Sequence, residues 1–583
     1  MDERKIKEYA DTLCRKYNSV HITQIKTRNE LADFLEVPRK KLSYILYVKG
    51  VDNLYTSFDI PKKNGESRHI HAPQKDLKVV QKKLADALCT YQKEIWKRRN
   101  INPNISHAFQ KGKSFITNAK IHRNKRFVVN IDLENFFDSF HFGRVRGFFL
   151  KNDDFQFSVE VATVIAQLSC YQGKLPQGAP CSPIITNLIC NIFDIRLLKL
   201  AKKYCLDYTR YADDLTFSTN DVKFLEIEEL FFEKLEKEIN SAGFRINEKK
   251  TRIQFRDSRQ EVTGVVVNRK LHVSRVYYKK TRAMAYNLYK TGEYFIEKDT
   301  QGTINQLEGR FSFINQLEWY NNRLYPGNKK LIFNNLNGRE REYSQFVFYK
   351  YFFANPKPLI VTEGKTDVIY LKAALKSLWK EYPELVSRDK NGHFEYKIAF
   401  LRRSKRLAYF LNLKEDGADT MNNIYNFFSK NGGEKYPNYI EVFRKLGNRF
   451  PLNPTILLFD NELSNKEKPV CKFTKGKISE EQREELNSKT WIHMTENLYL
   501  LMTPLINERN ESDIEMLFDN FTLSKEIDGK KFCKKDRYDT DKFYGKEIFS
   551  KYIMKNYSNI DFSGFKPLLS DIKIICENYK KKM

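Results

Sequence analysis

YTRYADDLTFS, residues 208–218, places two adjacent aspartates, Asp213 and Asp214, between two short runs in which apolar and polar residues alternate. Alternation with a period of two is typical of strands, so this stretch predicts a hairpin with both aspartates at its tip. Two aspartates between strands more often form an ordinary turn than a reactive site. Residues outside the hairpin must therefore distinguish a turn from a site.

A second apolar strand, upstream of the hairpin, also ends in an acid. Residues 127–137 read FVVNIDLENFF and carry Asp132 at the end of the apolar run. If this strand lies beside the hairpin, three carboxylates come close together and cannot all stay ionised without cations. Mg²⁺ binds carboxylate oxygens and substrate phosphates, and two such ions about 3.5–4 Å apart activate a hydroxyl and stabilise leaving pyrophosphate. The two strands therefore predict phosphoryl transfer.

Together with LPQGAPCSP at 175–183, these motifs and their order resemble those of reverse transcriptases. The resemblance implies an α+β right-hand polymerase with fingers, palm and thumb. It implies that a two-ion Mg²⁺ site is held by Asp132, Asp213, Asp214 and the Leu133 carbonyl. It also implies a set of nucleotide-binding residues. Arg68 would bind the triphosphate, with Lys62 and Lys63 as weaker candidates, and Phe137 would be a steric gate against a ribose 2′-hydroxyl. Gln177 and Gly178 would lie beside the nucleotide and template, and Lys249 or Lys250 near the leaving group.

Two more strings resemble retron reverse transcriptases in particular. Asn118 and His122 fit an N-A-x-x-H pattern, and Val262, Thr263 and Gly264 fit a V-T-G pattern. Taken singly, His122 reads as a surface histidine and V-T-G as a chance string in a strand. The resemblance covers roughly residues 1–325 and implies that both motifs bind RNA. It implies an enzyme that primes from a 2′-hydroxyl in its own structured noncoding RNA (msr-msd type) and uses dNTPs to make a short DNA (msDNA) that stays attached to that RNA.

The helical segment after this region is basic. Residues 275–325 would be the thumb, and RVYYKKTR offers cations for the phosphate backbone of a duplex, namely Arg275, Lys279, Lys280 and Arg282. The alternative is an ordinary solvated helix face.

A second set of acids follows further along the chain. PLIVTEGKTDVIYL (358–371) predicts a buried strand, a tight turn at Glu363-Gly364, and a helix carrying Asp367 one turn later. ILLFDNE (456–462) predicts a strand with Asp460 and Glu462 on one face. In α/β folds the carboxyl edge of the sheet binds ligands, and acids gathered there require a hard divalent cation.

This second pattern resembles a Toprim domain, an α/β Rossmann-like fold, and most closely the nucleases of the overcoming-lysogenization-defect type. The resemblance implies one or two Mg²⁺ ions on Glu363, Asp367, Asp460 and Glu462, with Glu363 and Asp460 catalytic in nucleic-acid cleavage. Glu462 stands where the family has Asp, and the long spacing from Glu363 to Asp460 requires an insertion near 401–450. Glu496 and Glu515 are further candidate acids, and RRSKR (402–406) and KKDR (534–537) are candidate substrate-binding strings.

The predicted organisation has five parts: an N-terminal helical cap (1–50), fingers and palm (51–270), thumb (271–325), linker (326–357) and a Toprim domain with a helical C-terminal part (358–583). The resemblances imply a polymerase fused to a nuclease effector in antiphage defence, similar to abortive infection and toxin–antitoxin systems. One alternative is that the Toprim part is a catalytically inactive binding module. Another is a reverse transcriptase that serves repair or mobility.

Charge and composition agree with a nucleic-acid partner. The chain of 583 residues has 102 Lys+Arg against 73 Asp+Glu, a net charge of +29, which favours a polyanion, with nucleic acid ahead of an anionic membrane. No run approaches the roughly 18–20 apolar residues of a membrane span, and the start lacks a signal peptide. The 9 cysteines form no C-x-x-C pair, which predicts a cytoplasmic protein without zinc. The nuclease target and a homo-oligomeric state are left open.

Overall fold

The computed structural model describes residues 21–582 except 62–64, 66, 102, 325–334, 415–418, 430–432, 434, 507–508 and 536–537. Lys62, Lys63, residues 1–20 of the predicted cap and part of KKDR therefore lie outside the described residues. The chain divides into two compact units, unit 1 (Met1–Ser274) and unit 2 (Arg275–Met583). Separate apolar clusters fill the two units.

Unit 1 is built around an antiparallel sheet. Its helices are α1 (Arg28–Phe34), α2 (Arg39–Ser43), α3 (Lys75–Arg98), α4 (Phe115–Ala119), α5 (Phe142–Lys151), α6 (Val159–Ser169), α7 (Ser182–Lys203) and α8 (Phe224–Ser241). Its strands are β1 (Tyr55–Pro61), β2 (Ser67–Pro73), β3 (Phe127–Asp132), β4 (Asp207–Tyr211), β5 (Asp214–Thr219), β6 (Arg252–Phe255), β7 (Glu261–Val262) and β8 (Val265–Val266). Among the described residues, the central sheet has the order β4-β5-β3-β6.

The predicted hairpin and upstream strand are confirmed. β4 and β5 form the hairpin, and β3 pairs with β5 so that Asp132 lies directly opposite Asp214. The first half of β3 is buried because the sheet is covered by apolar side chains, which explains the unbroken FVV run at 127–129. The amphipathic α8 ends at Ser241, just before Gly243, whose positive φ of 76° suits the end of a helix.

Unit 2 is an α/β domain with added helices. Its helices are α9 (Arg275–Thr291), α10 (Ile304–Leu324), α11 (Gly338–Phe348), α12 (Asp367–Ser377), α13 (Lys405–Leu411), α14 (Asp419–Phe428), α15 (Tyr439–Gly447), α16 (Pro469–Thr474), α17 (Glu480–Ser488), α18 (Asn520–Leu523), α19 (Lys546–Lys555) and α20 (Lys566–Lys582). Its strands are β9 (Phe295–Glu297), β10 (Thr300–Gln301), β11 (Leu359–Thr362), β12 (Val386–Arg388), β13 (Phe394–Tyr396), β14 (Ala399–Phe400), β15 (Thr455–Phe459), β16 (Trp491–Thr495), β17 (Leu498–Met502), β18 (Lys531–Phe532) and β19 (Phe543–Tyr544).

The central sheet of unit 2 is mostly parallel. Among the described residues its order is β14-β11-β15-β17-β16, with β14, β11, β15 and β17 parallel and β16 antiparallel at the edge. β11 and β15 are buried along their whole length, as strands covered on both faces require. The segment between β14 and β15, predicted as an insertion, contains α13, α14 and α15.

The division between the units differs from the predicted linker at 326–357. The predicted thumb helices α9 and α10 belong to unit 2, and the described part of the linker forms α11 and a π-helical turn at Tyr349–Phe353. The Tyr349 hydroxyl donates to the Leu288 carbonyl at 3.1 Å, and the Tyr289 ring lies 4.9 Å from that of Phe443. Aromatic burial explains the difference, because these rings form part of the core of unit 2.

Candidate active sites

The first acidic site is fixed by strand register. Asp132 ends β3, Asp214 begins β5 opposite it, and the Leu133 backbone N–H donates to the Asp213 carbonyl at 3.0 Å. Lys250 contacts the Asp132 carboxylate at 3.0 Å, and the Asn247 side chain donates to the same carboxylate at 3.1 Å. The structure therefore brings the three predicted aspartates together beside a cation.

Burial makes this site costly for negative charge. Burial, followed by the neighbouring Asp213 and Asp132, raises the pKa of Asp214 to about 7. Burial also raises the pKa of Asp213, and the charges of Lys250 and Arg68 oppose that shift. A hydrogen bond to Asp132 raises the pKa of Lys250. Carboxylates that repel one another in this way are a donor set that fits Mg²⁺.

The predicted nucleotide-binding residues surround a cleft of about 990 Å³. Its lining includes Arg68, Asp132, Leu133, Phe137, Gln177, Asp213, Lys249 and Lys250. The prediction named Lys249 or Lys250 near the leaving group, and Lys250 is the one that contacts Asp132. The cleft is thus polar, with acids at one point and cations around it.

Gly178 joins the cleft to the β1–β2 hairpin rather than lining the cleft. It has a φ of +119°, and a Cβ there would lie 2.8 Å from the His71 carbonyl oxygen and 3.0 Å from Ile70 Cγ2. The His71 N–H donates to the Gln177 carbonyl at 2.8 Å. A glycine is needed for this close approach, which holds Gln177 at the cleft.

The N-A-x-x-H motif is buried, which corrects its predicted role in RNA contact. One His122 ring nitrogen is 2.7 Å from the Thr209 hydroxyl on β4, and the other is 2.8 Å from the Ser218 hydroxyl on β5. Both His122 and Asn118 have no exposed surface, so neither can touch RNA in this conformation. His122 instead links the two strands of the aspartate hairpin. The side-chain nitrogen and oxygen of Asn118 have no hydrogen-bond partner among the described residues.

The V-T-G motif forms a tight turn between β7 and β8. Thr263 and Gly264 have positive φ values of 48° and 77°, and the Thr263 hydroxyl donates to the Phe115 carbonyl at 3.4 Å. Val262 is fully buried, so its predicted RNA contact is also corrected, whereas Gly264 is exposed. Because Phe115 begins α4, the V-T-G turn contacts the helix that carries Asn118.

The predicted thumb cations differ in whether they are exposed or already paired with an acid. Lys279, Lys280 and Arg275 are exposed on α9. Arg282 forms an ion pair with Glu342 at 2.7 Å. The surface lysines are therefore available to a phosphate backbone, whereas Arg282 already has an acidic partner.

Known proteins resemble part of this chain in sequence. A family model described as "Reverse transcriptase (RNA-dependent DNA polymerase)" matches residues 60–267. The chain is 33% identical to the retron Mx65 reverse transcriptase of Myxococcus xanthus (45% of this chain, 61% of the relative) and 32% identical to the Mx162 enzyme of the same organism (42% and 54%). It is 31% identical to the retron Ec86 reverse transcriptase of Escherichia coli over 49% of this chain and 84% of the relative.

The chain belongs to the retron reverse transcriptase family. It spans only 61% and 54% of the two Myxococcus relatives. A solved telomerase from Candida albicans, with telomeric RNA, matches 46% of this chain and 56% of its own at 11% identity, with a TM-score of 0.28, too low to establish a shared fold. The residues matched to the family model include the three aspartates, whereas unit 2 lies beyond them.

This retron family member has its second acidic site at the carboxyl edge of the parallel sheet. Glu363 follows β11, Asp367 begins α12 and Asp460 follows β15. The Asp460 N–H donates to a Glu363 carboxylate oxygen at 3.2 Å, and the Gly364 N–H donates to Asp367 at 2.8 Å. Burial, followed by Glu363 and Asp367, raises the pKa of Asp460 to about 8; burial, with Asp367 and Glu462, raises that of Glu363 to about 7.

Glu462 is placed differently from the prediction. β15 ends at Phe459, so Asp460 and Glu462 follow the strand and do not share a strand face. Lys468 forms an ion pair with Glu462 at 2.5 Å. Glu462 nevertheless contributes to the raised pKa of Glu363, so it lies near the other acids with a cation of its own.

A distant segment completes the cluster, and the sequence motifs do not indicate most of it. The Ile514 N–H donates to an Asp460 carboxylate oxygen at 3.2 Å. Ile514 stands in the sequence between Asp513 and Glu515, and Glu515 is fully buried. Lys546 forms an ion pair with Glu515 at 3.0 Å. Glu515 is a candidate from the sequence, but Asp513 and Lys546 are not, because isolated acids and lysines far along the chain carry no local pattern.

Other candidates in unit 2 have other partners. Glu496 lies in the turn between β16 and β17, at the amino end of β17, and pairs with Arg444. Arg403 of RRSKR donates to the Thr362 carbonyl, and Arg406 pairs with Glu308.

Within the described ranges, no group of three or more His, Cys, Asp or Glu residues already has the arrangement of a metal site. Of the helices described, none is long and apolar enough to cross a membrane.

Proposed function

We propose that this family member is an RNA-directed DNA polymerase that copies part of its own structured noncoding RNA, with dNTPs, into RNA-linked msDNA. The observation that carries the proposal is the cross-strand pair of Asp132 and Asp214, with Asp132 and Asp213 lining a cleft that Arg68 and Lys250 also line. Buried acids beside cations in a cleft of this size suit a nucleoside triphosphate.

The cleft residues take complementary roles in this proposal. Asp132, Asp213, Asp214 and the Leu133 carbonyl would hold Mg²⁺, which when bound activates the primer hydroxyl and neutralises the leaving pyrophosphate. Arg68 binds the triphosphate, and Lys250, with Lys249 beside it, supplies positive charge near the leaving group. Phe137 excludes a ribose 2′-hydroxyl, and Gln177 lies beside the nucleotide. Positioning and charge therefore supply most of the catalysis.

RNA binding is assigned to exposed cations. Lys279 and Lys280, with Arg275, would contact phosphates without reading bases. Because the predicted motif residues His122 and Asn118 are buried, they support the protein fold near the hairpin and do not form part of this RNA surface.

Asp213→Asn tests the polymerase. We expect DNA synthesis to fall by about 1,000-fold or more, since a lost metal ligand removes several kcal/mol of transition-state stabilisation. RNA affinity should stay unchanged because the phosphate-binding cations are intact. The matched control is Asp257→Asn, an exposed aspartate after β6. Synthesis at the wild-type rate by Asp213→Asn would refute the assignment of this site.

For unit 2 we propose a Toprim-type, Mg²⁺-dependent nuclease that acts as an effector in antiphage defence. Supporting observations are the parallel sheet and the convergence of Glu363, Asp367 and Asp460 at its carboxyl edge. These acids and Glu462 would hold the ion, and a bound ion would activate water for hydrolysis. The second candidate, an inactive binding module, is favoured by the pairing of Glu462 with Lys468.

Replacing Glu363 and Asp460 together by Ala separates the two candidates. The nuclease proposal expects cells carrying this variant to lose defence while DNA synthesis is unchanged. The control replaces Glu481 and Glu484, both exposed on α17, by Ala. Defence that persists in the Glu363/Asp460 variant, with normal msDNA, would instead support the binding module.

A further inference from the structure

Arg210 lies inside the hairpin stretch, on β4, and its side chain has no exposed surface. An arginine in such a position is unusual, because a buried charge costs free energy unless it is paired and hydrogen-bonded. The catalytic roles proposed above do not use it. The role of the buried Arg210 side chain must therefore be inferred from its contacts.

Asp194 on α7 is the main partner of Arg210. The Arg210 Nε and Nη2 atoms each donate to a different Asp194 carboxylate oxygen at 2.8 Å, which is a bidentate pair. Nη2 also donates to the Asn187 side-chain oxygen at 3.2 Å, and the Tyr208 hydroxyl donates to Asp194 at 3.0 Å. The guanidinium is thus fixed from α7.

The remaining contact of Arg210 reaches the hairpin turn. Nη1 donates to the Ala212 carbonyl at 3.1 Å. Ala212 has a φ of +59°, a left-handed conformation that a non-glycine residue adopts at a cost. Asp213 and Asp214 follow directly. A donor on the Ala212 carbonyl therefore acts on the backbone that presents both aspartates.

The backbone of Arg210 is itself held firmly. Its N–H donates to the Ile105 carbonyl at 2.9 Å, and its carbonyl accepts from the His107 N–H at 2.9 Å. Asn187, which contacts the guanidinium, also bonds Ser106 and the Ala108 carbonyl. Arg210 therefore links the hairpin turn to α7 and to residues 105–108, which hold the turn in place.

We infer that Arg210 is a positioning residue for the polymerase reaction: held by Asp194, it fixes the Ala212 carbonyl and with it the turn that carries Asp213 and Asp214. The inference rests on the proposed polymerase function. Folding alone does not require such a pair, since replacing a buried ion pair by apolar residues of similar volume is often neutral or stabilising.

The test removes the whole network without leaving a buried charge. Arg210, Asp194 and Tyr208 are replaced together by Met, Leu and Phe. We expect an unchanged thermal midpoint and a kcat for dNTP incorporation lowered by about 100-fold, the scale for a misplaced catalytic group. The KM for dNTP and the RNA affinity should stay near wild type. The control is Gln81→Leu, which removes a buried side chain that bonds Tyr55 and Leu168 and should leave kcat unchanged.

Each outcome decides the inference. A folded triple variant with wild-type kcat overturns the positioning role. If the triple variant does not fold, Arg210→Lys is measured, because lysine keeps the charge but lacks the fork that reaches both Asp194 and Ala212. A folded Arg210→Lys with full kcat, or failure of both variants to fold, also overturns it. A wild-type protein that makes no DNA would overturn the proposed function itself, whereas an active wild type with an equally active variant overturns only this inference.

Discussion

The two acidic sites present similar side chains on opposite kinds of sheet. In unit 1, Asp132 and Asp214 face each other across antiparallel strands, so register alone brings them together. In unit 2, Glu363 and Asp460 follow neighbouring parallel strands. Parallel strands gather side chains at one edge of the sheet, but the edge must be completed by segments from elsewhere in the chain. The register of adjacent strands thus fixes the first site, whereas the second also needs segments that lie outside its sheet.

Each acidic site also has a lysine from another element beside one of its acids. In unit 1, Lys250 contacts Asp132 at 3.0 Å. In unit 2 the cation nearest the fully buried Glu515 is Lys546, which comes from α19. Burial is the largest cause of the raised pKa values at both sites. Negative charge is therefore crowded at both sites, and at both a lysine from another element offsets part of it.

Removal of Lys546 tests this distant support, and we expect the largest loss of stability from it. Lys546→Met leaves the fully buried Glu515 without its cation. Because the Lys546 side chain is itself 38% exposed, we expect a cost at the low end for breaking a buried pair, about 3 kcal/mol. The free energy of local unfolding, measured by hydrogen exchange of the amides at 514–517, should fall by that amount.

Lys551→Met on the same helix is the matched control. Lys551 pairs with Glu547, and both side chains are mostly exposed, so the loss should stay below about 0.5 kcal/mol. Equal losses for the two variants would mean that Lys546 does not support the acidic site.

Gly447→Ala tests whether the predicted thumb is part of unit 2. A Cβ at Gly447 would lie 2.1 Å from the Lys290 carbonyl oxygen at the end of α9. The clash forces α9 and α15 apart, and overpacking of this kind costs about 1–3 kcal/mol. The loss in the free energy of unfolding is measured by urea denaturation of the full chain, monitored by hydrogen exchange of the amides in α9 and α15.

Gly309→Ala is the control for this second variant. Gly309 lies inside α10, and a Cβ added to it would meet nothing within 4 Å, so Ala should be neutral or stabilising by up to about 1 kcal/mol. If Gly447→Ala were equally harmless, α9 and α15 would not be packed as the structure has them.

The sequence can predict what local patterns encode. Strands β3, β4 and β5 are predictable because their alternating or apolar runs end at acids. The proximity of Asp132 to the hairpin aspartates is predictable in the same way, whereas the register that pairs Asp132 with Asp214 is seen only in the structure. The division between the units cannot be predicted from such patterns. The sequence around Tyr349 is polar and aromatic and therefore looks like an exposed linker. Its burial becomes evident only from its ring contacts with Tyr289 and Phe443.

Candidate site residues show the same limit. Glu363 and Asp460 stand at strand ends and are predictable, whereas Asp513 and Lys546 reach the cluster only through the fold. His122 is assigned to RNA by a motif that resembles a family pattern, yet its contacts with Thr209 and Ser218 are internal. A motif identifies a residue without stating whether its side chain faces a ligand or the core.

Acidification provides a further test, on the hairpin of unit 1. Burial, followed by the charges of Lys125 and His107, lowers the pKa of His122 to about 3 from an ordinary 6.5. Below pH 6.5 the unfolded chain takes up a proton that the folded chain refuses until about pH 3. Stability is therefore fully present above pH 6.5 and is lost on acidification, by up to about 1.4 kcal/mol per pH unit.

His122→Gln removes this titration, because glutamine offers a donor and an acceptor without a charge. The free energy of unfolding of unit 1, measured between pH 6.5 and 4, should fall less steeply than in the wild type. It should still fall, since burial also lowers the pKa of His107, to about 4. An unchanged slope in His122→Gln would show that the hairpin is not held by a neutral, buried histidine.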